Sequence, residues 1–140
     1  MLFKGLEIAT TGMSAQKARM DIISSNLANI NSTKDKDGLP YKRKIPVFEA
    51  IYEQESEKYK NIPLAKVHIK KVIEDPAPFK LKYDPTNPLA DKNGFVKLPN
   101  IDPMREMVDM ISAMRTYEAN ITAFNTHKDM LLKSLEIIKV

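Results

Sequence analysis

The sequence of 140 residues contains no cysteine and only four glycines. Without thiols the chain has neither disulfide bonds nor thiolate metal sites. Four scattered glycines do not supply a glycine-rich phosphate loop. No run of apolar residues approaches the ~20 that a membrane-spanning helix needs. These absences exclude disulfide-rich domains, membrane-spanning proteins and phosphate-loop enzymes before any secondary structure is predicted.

The N-terminal stretch lacks the apolar core of a secretory signal, because Lys4, Glu7 and Lys17 interrupt it with charges. We therefore expect no Sec-type signal. The chain is expected either to stay in the cytoplasm or to leave it by a route that cleaves no signal peptide.

Side chains that carry catalysis are also few. The two histidines, His68 and His127, lie in different segments, and neither has a pattern of further metal ligands nearby. Asp35 and Asp37 are close in sequence but lack the other oxygen ligands that a calcium loop needs. We expect no enzyme, no catalytic residue, no metal site, no cofactor and no small-molecule substrate.

The net charge of +4 comes from the middle of the chain, where residues 31–101 carry fourteen Lys or Arg and ten acidic residues. This excess is smaller than the dense basic face of a nucleic-acid-binding protein, so we expect no nucleic acid partner. Four lysines alternate with apolar residues on two predicted strands. They form either a basic strip for an acidic partner or a blunted sheet edge, and they are Lys66, Lys70, Lys80 and Lys82.

The stretch from Met104 to Val140 has neither proline nor glycine, and its apolar residues recur at alternating steps of three and four. A repeat of 3.5 residues predicts a helix that packs in a coiled coil. At 1.5 Å per residue this helix is roughly 50 Å long, too long for so short a chain to cover, so we expect it to need partners. The predicted seam comprises Met107, Met110, Met114, Tyr117, Ile121, Phe124, Lys128, Leu131, Leu135 and Ile138.

The same period occurs at the N-terminus, which predicts a second helix able to pair with the first. Gly5 and Gly12 each weaken this helix by about 1 kcal/mol relative to alanine. Polar residues that favour caps and turns predict its end near Asn29 to Asn31. Its seam comprises Leu2, Leu6, Ala9, Met13, Gln16, Met20, Ile23, Leu27 and Ile30.

Eight of the nine prolines lie between Pro40 and Pro99, and this predicts a non-helical insert between the helices. Residues 45–52 predict at most an edge strand, because Pro46 interrupts them. Strands are also predicted from Ala65, with a bulge at a phase slip near Lys71, and at 79–83 and 95–98. The fold class is therefore mainly α, with two long terminal helices paired as an antiparallel coiled coil and a small Pro-rich, β-containing insert.

Three local patterns inside the insert and at its end carry further expectations. Alternation in 79–83 predicts that Phe79, Leu81 and Tyr83 face a core while the lysines face water. The basic triplet at 42–44 is interpreted as a solvated loop end, with contact to a phosphate or an acidic neighbour as the alternative. Asp102 is a good N-cap, and Pro103 suits the first position of the last helix.

The stretch AQKARMDIISSNLANINST, residues 15–33, is similar to the N-terminal signature shared by the flagellar axial proteins of rod and hook. DPAPFKLKYDPTNPLADKNGFVKLPNIDP and MVDMISAMRTYEANITAFNTHKDMLLKSLEI, residues 75–103 and 107–137, resemble the C-type branch that builds the proximal rod of the flagellar basal body. The signature positions of this resemblance are Asn26, Asn29, Tyr117, Glu118 and Asn120.

The resemblance implies a structural subunit and no enzyme. It implies passage through the flagellar type III export apparatus and polymerisation, with copies of itself and other rod proteins, into a hollow drive shaft in the periplasm that transmits torque from motor to hook. Residues 1–31 and 102–140 would form an inner tube domain, with residues 32–101 as the insert outside it.

Two further expectations concern assembly and the competing interpretation. From the residues alone, a cytoplasmic coiled-coil adaptor remains the alternative. The residues expected at the assembly interface are the apolar seam positions Leu6, Met13, Met20, Ile23, Leu27, Met107, Met110, Met114, Tyr117, Ile121, Phe124, Leu131, Leu135 and Ile138.

Overall fold

Two long helices flank four short strands in a computed structural model that describes residues 2–34, 38–52 and 64–138. The order of elements is α1 Leu2–Ala28, β1 Lys44–Tyr52, β2 Ala65–Glu74, β3 Lys80–Tyr83, β4 Phe95–Leu98 and α2 Pro103–Ile138. The predicted class, two terminal helices with a small β-containing insert, is confirmed. Asp35 and Asp37 lie outside the described residues.

The start of α2 follows from local chemistry. The Met104 amide donates a hydrogen bond to the Asp102 carboxylate at 3.0 Å, and the Glu106 amide donates to the Asp102 carbonyl at 3.0 Å. The first bond satisfies an amide that the first turn leaves without a main-chain partner, and the second is the first regular main-chain bond of the helix. Pro103 needs no amide partner and opens the helix. The predicted N-cap and helix start are confirmed.

The helices α1 and α2 pack side by side with their chains running in opposite directions. Close neighbours across the interface are Gly5 with His127, Gly12 with Asn120, and Asn26 with Glu106. A step of seven residues up α1 therefore matches a step of seven residues down α2. Because α2 has 36 residues and α1 has 27, α2 continues past the start of α1 near its C-terminal end.

The face of α2 that meets α1 differs from the predicted seam. Alternate seam positions, Met110 and Tyr117 among them, are half-buried as expected, but Met107 and Met114 are exposed. The positions just before the exposed ones face α1 instead, and these are Glu106, Ala113, Asn120 and His127. The prediction was wrong for half of the contact face, because small and polar side chains allow the helices to approach closely at the glycines.

A substitution at Gly12 tests how closely α1 and α2 approach each other. A Cβ at Gly12 would lie 2.8 Å from Asn120 Nδ2, closer than packed atoms come. We expect Gly12→Ala to lower the free energy of unfolding by about 1 kcal/mol, because overpacking outweighs the better helix propensity of alanine. In an Asn120→Ala background the clash is gone, so the same change should stabilise by about 1 kcal/mol. Urea unfolding of the wild type, the two single variants and the double variant measures both values, and a change of the same sign in both backgrounds would contradict the close approach.

Strands β1 and β2 form an antiparallel two-stranded ribbon that lies against α1. The register shifts between Val47 and Phe48, opposite Lys71 and Ile69, so β2 contains the predicted bulge. Across the ribbon the Lys70 ammonium donates to Glu49 Oε1 at 2.5 Å, and this hydrogen bond lowers the pKa of Glu49. The Val67 amide donates to Thr11 Oγ1 at 3.3 Å and ties the ribbon to α1.

Strands β3 and β4 form a separate antiparallel hairpin. The prediction that Leu81 and Tyr83 are buried is wrong, since they are 62% and 65% exposed. They share one face with Phe95, and in the described part of the chain no element packs on that face; Val96 on the opposite face is buried instead. Gly94 has a φ of 81°, and a Cβ there would lie 2.9 Å from the Tyr83 ring, so the turn requires glycine.

The four alternating lysines do not form one basic strip, because β2 and β3 belong to different sheets. Lys66 forms an ion pair with Glu7, and Lys70 forms one with Glu49. Lys80 donates to the Ile101 carbonyl at 2.6 Å. Three of the four lysine ammonium groups are therefore paired with acceptors in the same chain.

Candidate assembly interface

The outward face of α2 is apolar and uncovered. Met107, Met114, Ile121 and Leu135 are between 36% and 56% exposed. Further large apolar side chains on the same helix are also exposed, namely Met104, Val108, Ile111, Met130, Leu132 and Ile137. So many exposed large apolar side chains on one helix exceed the scattered apolar residues of an ordinary surface and are typical of a protein interaction site. We call these ten residues the outer stripe.

The other predicted interface residues whose side chains are described are buried or half-buried within the single chain. Met110, Tyr117, Phe124 and Leu131 of α2 are half-buried. On α1, Ile23 is buried, whereas the remaining predicted positions are half-buried, and these are Leu6, Met13, Met20 and Leu27. The side chain of Ile138 lies outside the described part. The structure thus divides the predicted set into an exposed group and a group that is buried or half-buried within the chain.

A buried ionic cluster lies where the insert meets the two helices. Glu106 is fully buried, and the Arg43 side chain donates from Nε to Glu106 Oε1 at 2.5 Å. The two terminal nitrogens of Arg43 lie 3.4 Å from Asp75 Oδ2 and 3.3 Å from Asp109 Oδ2. One guanidinium thus contacts three carboxylates, as its planar array of donors allows.

Arg43 keeps its positive charge within this cluster. Burial by itself lowers the pKa of Arg43, but hydrogen bonds and charge contacts with Glu106 and Asp75 outweigh it and raise the pKa above its ordinary value. Arg43 is therefore protonated over the whole range in which proteins fold. Interpreting the triplet at 42–44 as a solvated loop end is wrong for Arg43, which lies against acidic neighbours. Lys44 is exposed as expected.

Asn26 connects this cluster to the first strand. Its amide nitrogen donates to Glu106 Oε2 at 3.0 Å and to the Lys44 carbonyl at 2.9 Å. Its amide oxygen accepts from the Lys44 amide at 2.9 Å and from the Tyr41 hydroxyl at 3.2 Å. The side chain of Asn26 therefore pairs with both backbone groups of Lys44, much as a neighbouring strand would.

Asn100 completes the joint from the other end of the insert. Its amide oxygen accepts from the Arg43 amide at 2.9 Å, and its nitrogen donates to the carbonyls of Asp75 and Ala77 at 3.3 and 3.0 Å. The segment before α2 is thereby fixed to both strands of the first ribbon. No local signal in the sequence marks Asn100, and Glu106 is marked only as a negative charge in the first turn of α2, because the partners of both residues are far away along the chain.

The signature positions have separate roles. Asn26 is buried in the cluster, Asn29 donates to the Ser25 carbonyl at 2.8 Å at the end of α1, and Asn120 lies against Gly12. Tyr117 is half-buried on the face toward α1, whereas Glu118 is exposed.

Within the described residues, no group of three or more potential ligands is arranged to hold a metal ion. In the same part of the chain, no helix is long and apolar enough to cross a membrane. The polar side chains of the cluster are hydrogen-bonded to one another and to the backbone.

A helix pair with an uncovered apolar face and internally paired polar groups is the design of a structural subunit that assembles. Comparison with known proteins gives the same class. Residues 6–34 match the family described as flagella basal body rod protein, and residues 92–137 match the flagellar basal body rod FlgEFG protein C-terminal family.

Three proteins that align with nearly the whole chain are all named flagellar basal-body rod protein FlgC. The flagellar basal-body rod protein FlgC of Aquifex aeolicus is 47% identical over 140 residues, covering 99% of this chain and 98% of the relative. The FlgC of Bacillus subtilis is 41% identical, covering 98% of each chain, and that of Salmonella typhimurium is 44% identical, covering 94% of this chain and 93% of the relative. The chain belongs to the flagellar basal-body rod protein family. It is a structural subunit of the basal-body rod and not an enzyme, and the adaptor alternative is set aside.

Proposed function

We propose that this chain polymerises through its terminal helices, with copies of itself and other rod proteins, into the hollow proximal rod that transmits torque from motor to hook. The outer stripe of α2 carries this proposal. It is too large and too apolar to remain in water, and the described elements of the chain leave it uncovered. Contacts with neighbouring subunits would bury it, and many buried apolar contacts per subunit would supply the stiffness that a drive shaft needs.

The helix pair is proposed to be an antiparallel coiled coil that forms the inner tube domain, from residues 1–31 and 102–140. The matched steps of seven residues in both helices support it. Residues 32–101 would then form the insert outside the tube. The side chains between the helices would hold each subunit together, while the outer stripe would join subunits.

The route to the rod is proposed to be the flagellar type III export apparatus, without cleavage of a signal peptide, so that assembly takes place in the periplasm. Membership of the rod family supports this route.

A charge placed on the outer stripe tests the proposal. We expect Leu135→Asp and Ile121→Asp to abolish rod assembly, because each puts an unpaired carboxylate in a buried contact between subunits. Both residues are exposed in the single chain, so the helix content of the purified variants should stay unchanged. The measurements are swimming and recovery of basal bodies from cells that carry only the variant.

Thr122→Asp is the matched control, since Thr122 neighbours Ile121 on the same helix and is an exposed polar residue. It should leave swimming intact. Normal motility of both outer-stripe variants, with the protein present at wild-type level, would refute the proposed interface.

A further inference from the structure

A second exposed apolar surface lies on one side of the β3–β4 hairpin. Leu81, Tyr83 and Phe95 stand on this side, and Lys97 joins them because it pairs with Leu81 across the two strands. All four side chains are exposed, and we call them the hairpin face. No described helix or strand packs on this face, and among the described residues Lys97 has no hydrogen-bond or ion-pair partner.

The hairpin face is held in shape by contacts within the hairpin itself. The Asp91 carboxylate accepts hydrogen bonds from the amides of Asn93 and Phe95 at 2.8 and 2.9 Å, which fixes the turn before β4. The rings of Tyr83 and Phe95 meet edge to face, with their centroids 5.3 Å apart. Val96, on the opposite side of the hairpin, is buried and anchors it. A surface ordered in this way loses little conformational entropy when it docks.

An acidic residue lies among the apolar side chains of the outer stripe. Glu118 stands four residues after Met114 and three residues before Ile121, so it shares their face of α2. Its side chain is exposed and, in the part of the chain that the structure describes, forms no ion pair. A neighbour that covers this part of the stripe takes the carboxylate out of water, and an unpaired buried charge is strongly destabilising. The covering surface must therefore supply a base.

The symmetry of an open polymer restricts which surface this can be. In an open helical polymer, a patch on one copy meets a different patch on the next copy, so the outer stripe needs a partner surface outside itself. On the first ribbon, the exposed apolar residues are divided between the two sides, because those at 51–52 and at 72–73 are consecutive. The hairpin face instead gathers three large apolar side chains and an unpaired lysine on one side.

The size of the hairpin face fits a contact that forms only inside an assembly. A whole aromatic side chain buries about 150–250 Å², so the exposed parts of Leu81, Tyr83 and Phe95 together amount to a few hundred Å². A stable complex of two free proteins buries about 800 Å² on each partner. The hairpin face is therefore too small to hold two free copies together, and it acts in combination with the other contacts of a polymer.

We propose that the hairpin face of one copy docks on the outer stripe of the next copy in the rod, with the Lys97 ammonium paired to the Glu118 carboxylate. This contact rests on the proposed function, since it names the surface that covers part of the outer stripe. The apolar stem of Lys97 lies along the contact while its charged end reaches Glu118. The three apolar side chains of the hairpin face cover the apolar residues on either side of Glu118.

Exchange of the two charges tests the pairing in cells that carry only the variant chain. We expect Lys97→Glu and Glu118→Lys each to lower the number of basal bodies recovered at least about tenfold, because each brings two like charges together in a buried contact. Both changes in one chain exchange the charges and keep their attraction. The double variant should therefore restore recovery to within about twofold of wild type.

Two matched controls reverse exposed charges outside the proposed contact. Lys92→Glu changes a lysine in the loop between β3 and β4 that is not part of the hairpin face. Asp129→Lys changes an acid of α2 that lies seven residues after Thr122, in the same polar row as Thr122 and Arg115. Both variants should leave the recovery of basal bodies unchanged.

The absence of cysteine from the chain allows an independent measurement on assembled rods. Cells express two distinguishable copies together, one with Leu81→Cys and the other with Ile121→Cys, and isolated basal bodies are treated with a short thiol-specific cross-linker. We expect a product that contains one copy of each kind. Thr126→Cys in place of Ile121→Cys is the control, because Thr126 is an exposed polar residue of α2 away from the stripe, and it should give no such product.

Three results would overturn the proposed contact. The first is normal recovery of basal bodies with either single charge reversal at wild-type protein level. The second is failure of the double variant to restore assembly, which would mean that Lys97 and Glu118 contact other proteins instead of each other. The third is the absence of the cross-linked product in rods that have assembled. If Ile121→Asp and Leu135→Asp still abolish assembly, any of these results removes the hairpin contact and leaves the proposed function standing.

Discussion

Replacing Asn26 by Leu is expected to lower the free energy of unfolding by about 3–5 kcal/mol, because each buried polar group left without a partner costs about 1–3 kcal/mol. Leucine has the same number and branching of side-chain heavy atoms as asparagine but provides no hydrogen bond. The substitution removes the acceptor for the Lys44 amide, the donor to the Lys44 carbonyl and the neutral donor to the buried Glu106. The Glu106 carboxylate is fully buried, and the two hydrogen bonds to Lys44 are partly buried.

Urea unfolding of the full-length variant, followed by the helix signal, measures this loss. Ser24→Leu is the control, because Ser24 lies on the same helix two residues earlier and is exposed. It should change stability by about 0.5 kcal/mol or less. A loss below about 1 kcal/mol for Asn26→Leu would mean that Asn26 contributes no more than an ordinary exposed hydrogen bond.

The elements of this fold could be predicted where local chemistry determines them. Asp102 and Pro103 fix the start of α2 because their effects reach only the next turn. The phase slip near Lys71 predicted the bulge in β2 because alternation is a property of one strand. The family signature, too, lies in continuous stretches of sequence. In each case the residues that cause the structure are neighbours along the chain.

The faces of these elements could not be predicted in the same way. Periodicity identified α2 as amphipathic, but apolar character alone selected Met107 and Met114, whereas Glu106 and Ala113 face α1. The choice depends on Gly5 and Gly12 of α1, which let small and polar side chains approach closely. In β3, alternation marked Leu81 as buried, yet in the described fold no layer covers it. Which face of a helix or strand is buried depends on the elements that pack against it, and those elements come from other parts of the chain.

The candidate site shows the same limit. The need of α2 for partners was expected from the sequence, because so long a helix cannot be covered by so short a chain. The cluster was not foreseen, because Arg43 stands in a basic triplet that is typical of a solvated loop end. Its acidic partners are 32 to 66 residues away, and no local pattern links them.

A second large effect is expected at the closest part of the helix interface. Ala113 has no exposed surface, and in the step of seven residues it lies between Glu106 and Asn120, both of which contact α1. We expect Ala113→Leu to lower the free energy of unfolding by about 3 kcal/mol, at the upper end of the usual cost of overpacking. A larger side chain at this point forces the helices apart and strains the contacts on either side of it.

Ala119→Leu separates this packing effect from any effect on the helix itself. Ala119 lies six residues further along α2 and is exposed. Both substitutions replace alanine by leucine, whose helix propensities are similar, so they differ mainly in what surrounds the new side chain. The control should change stability by about 0.5 kcal/mol or less in urea unfolding. If the two variants lost equal stability, the helices would not approach each other closely at Ala113, and the antiparallel register built on Gly5, Gly12 and Asn26 would be wrong. A large loss at Ala113 alone would show that small residues in this row, rather than the apolar seam, determine how near the two helices come.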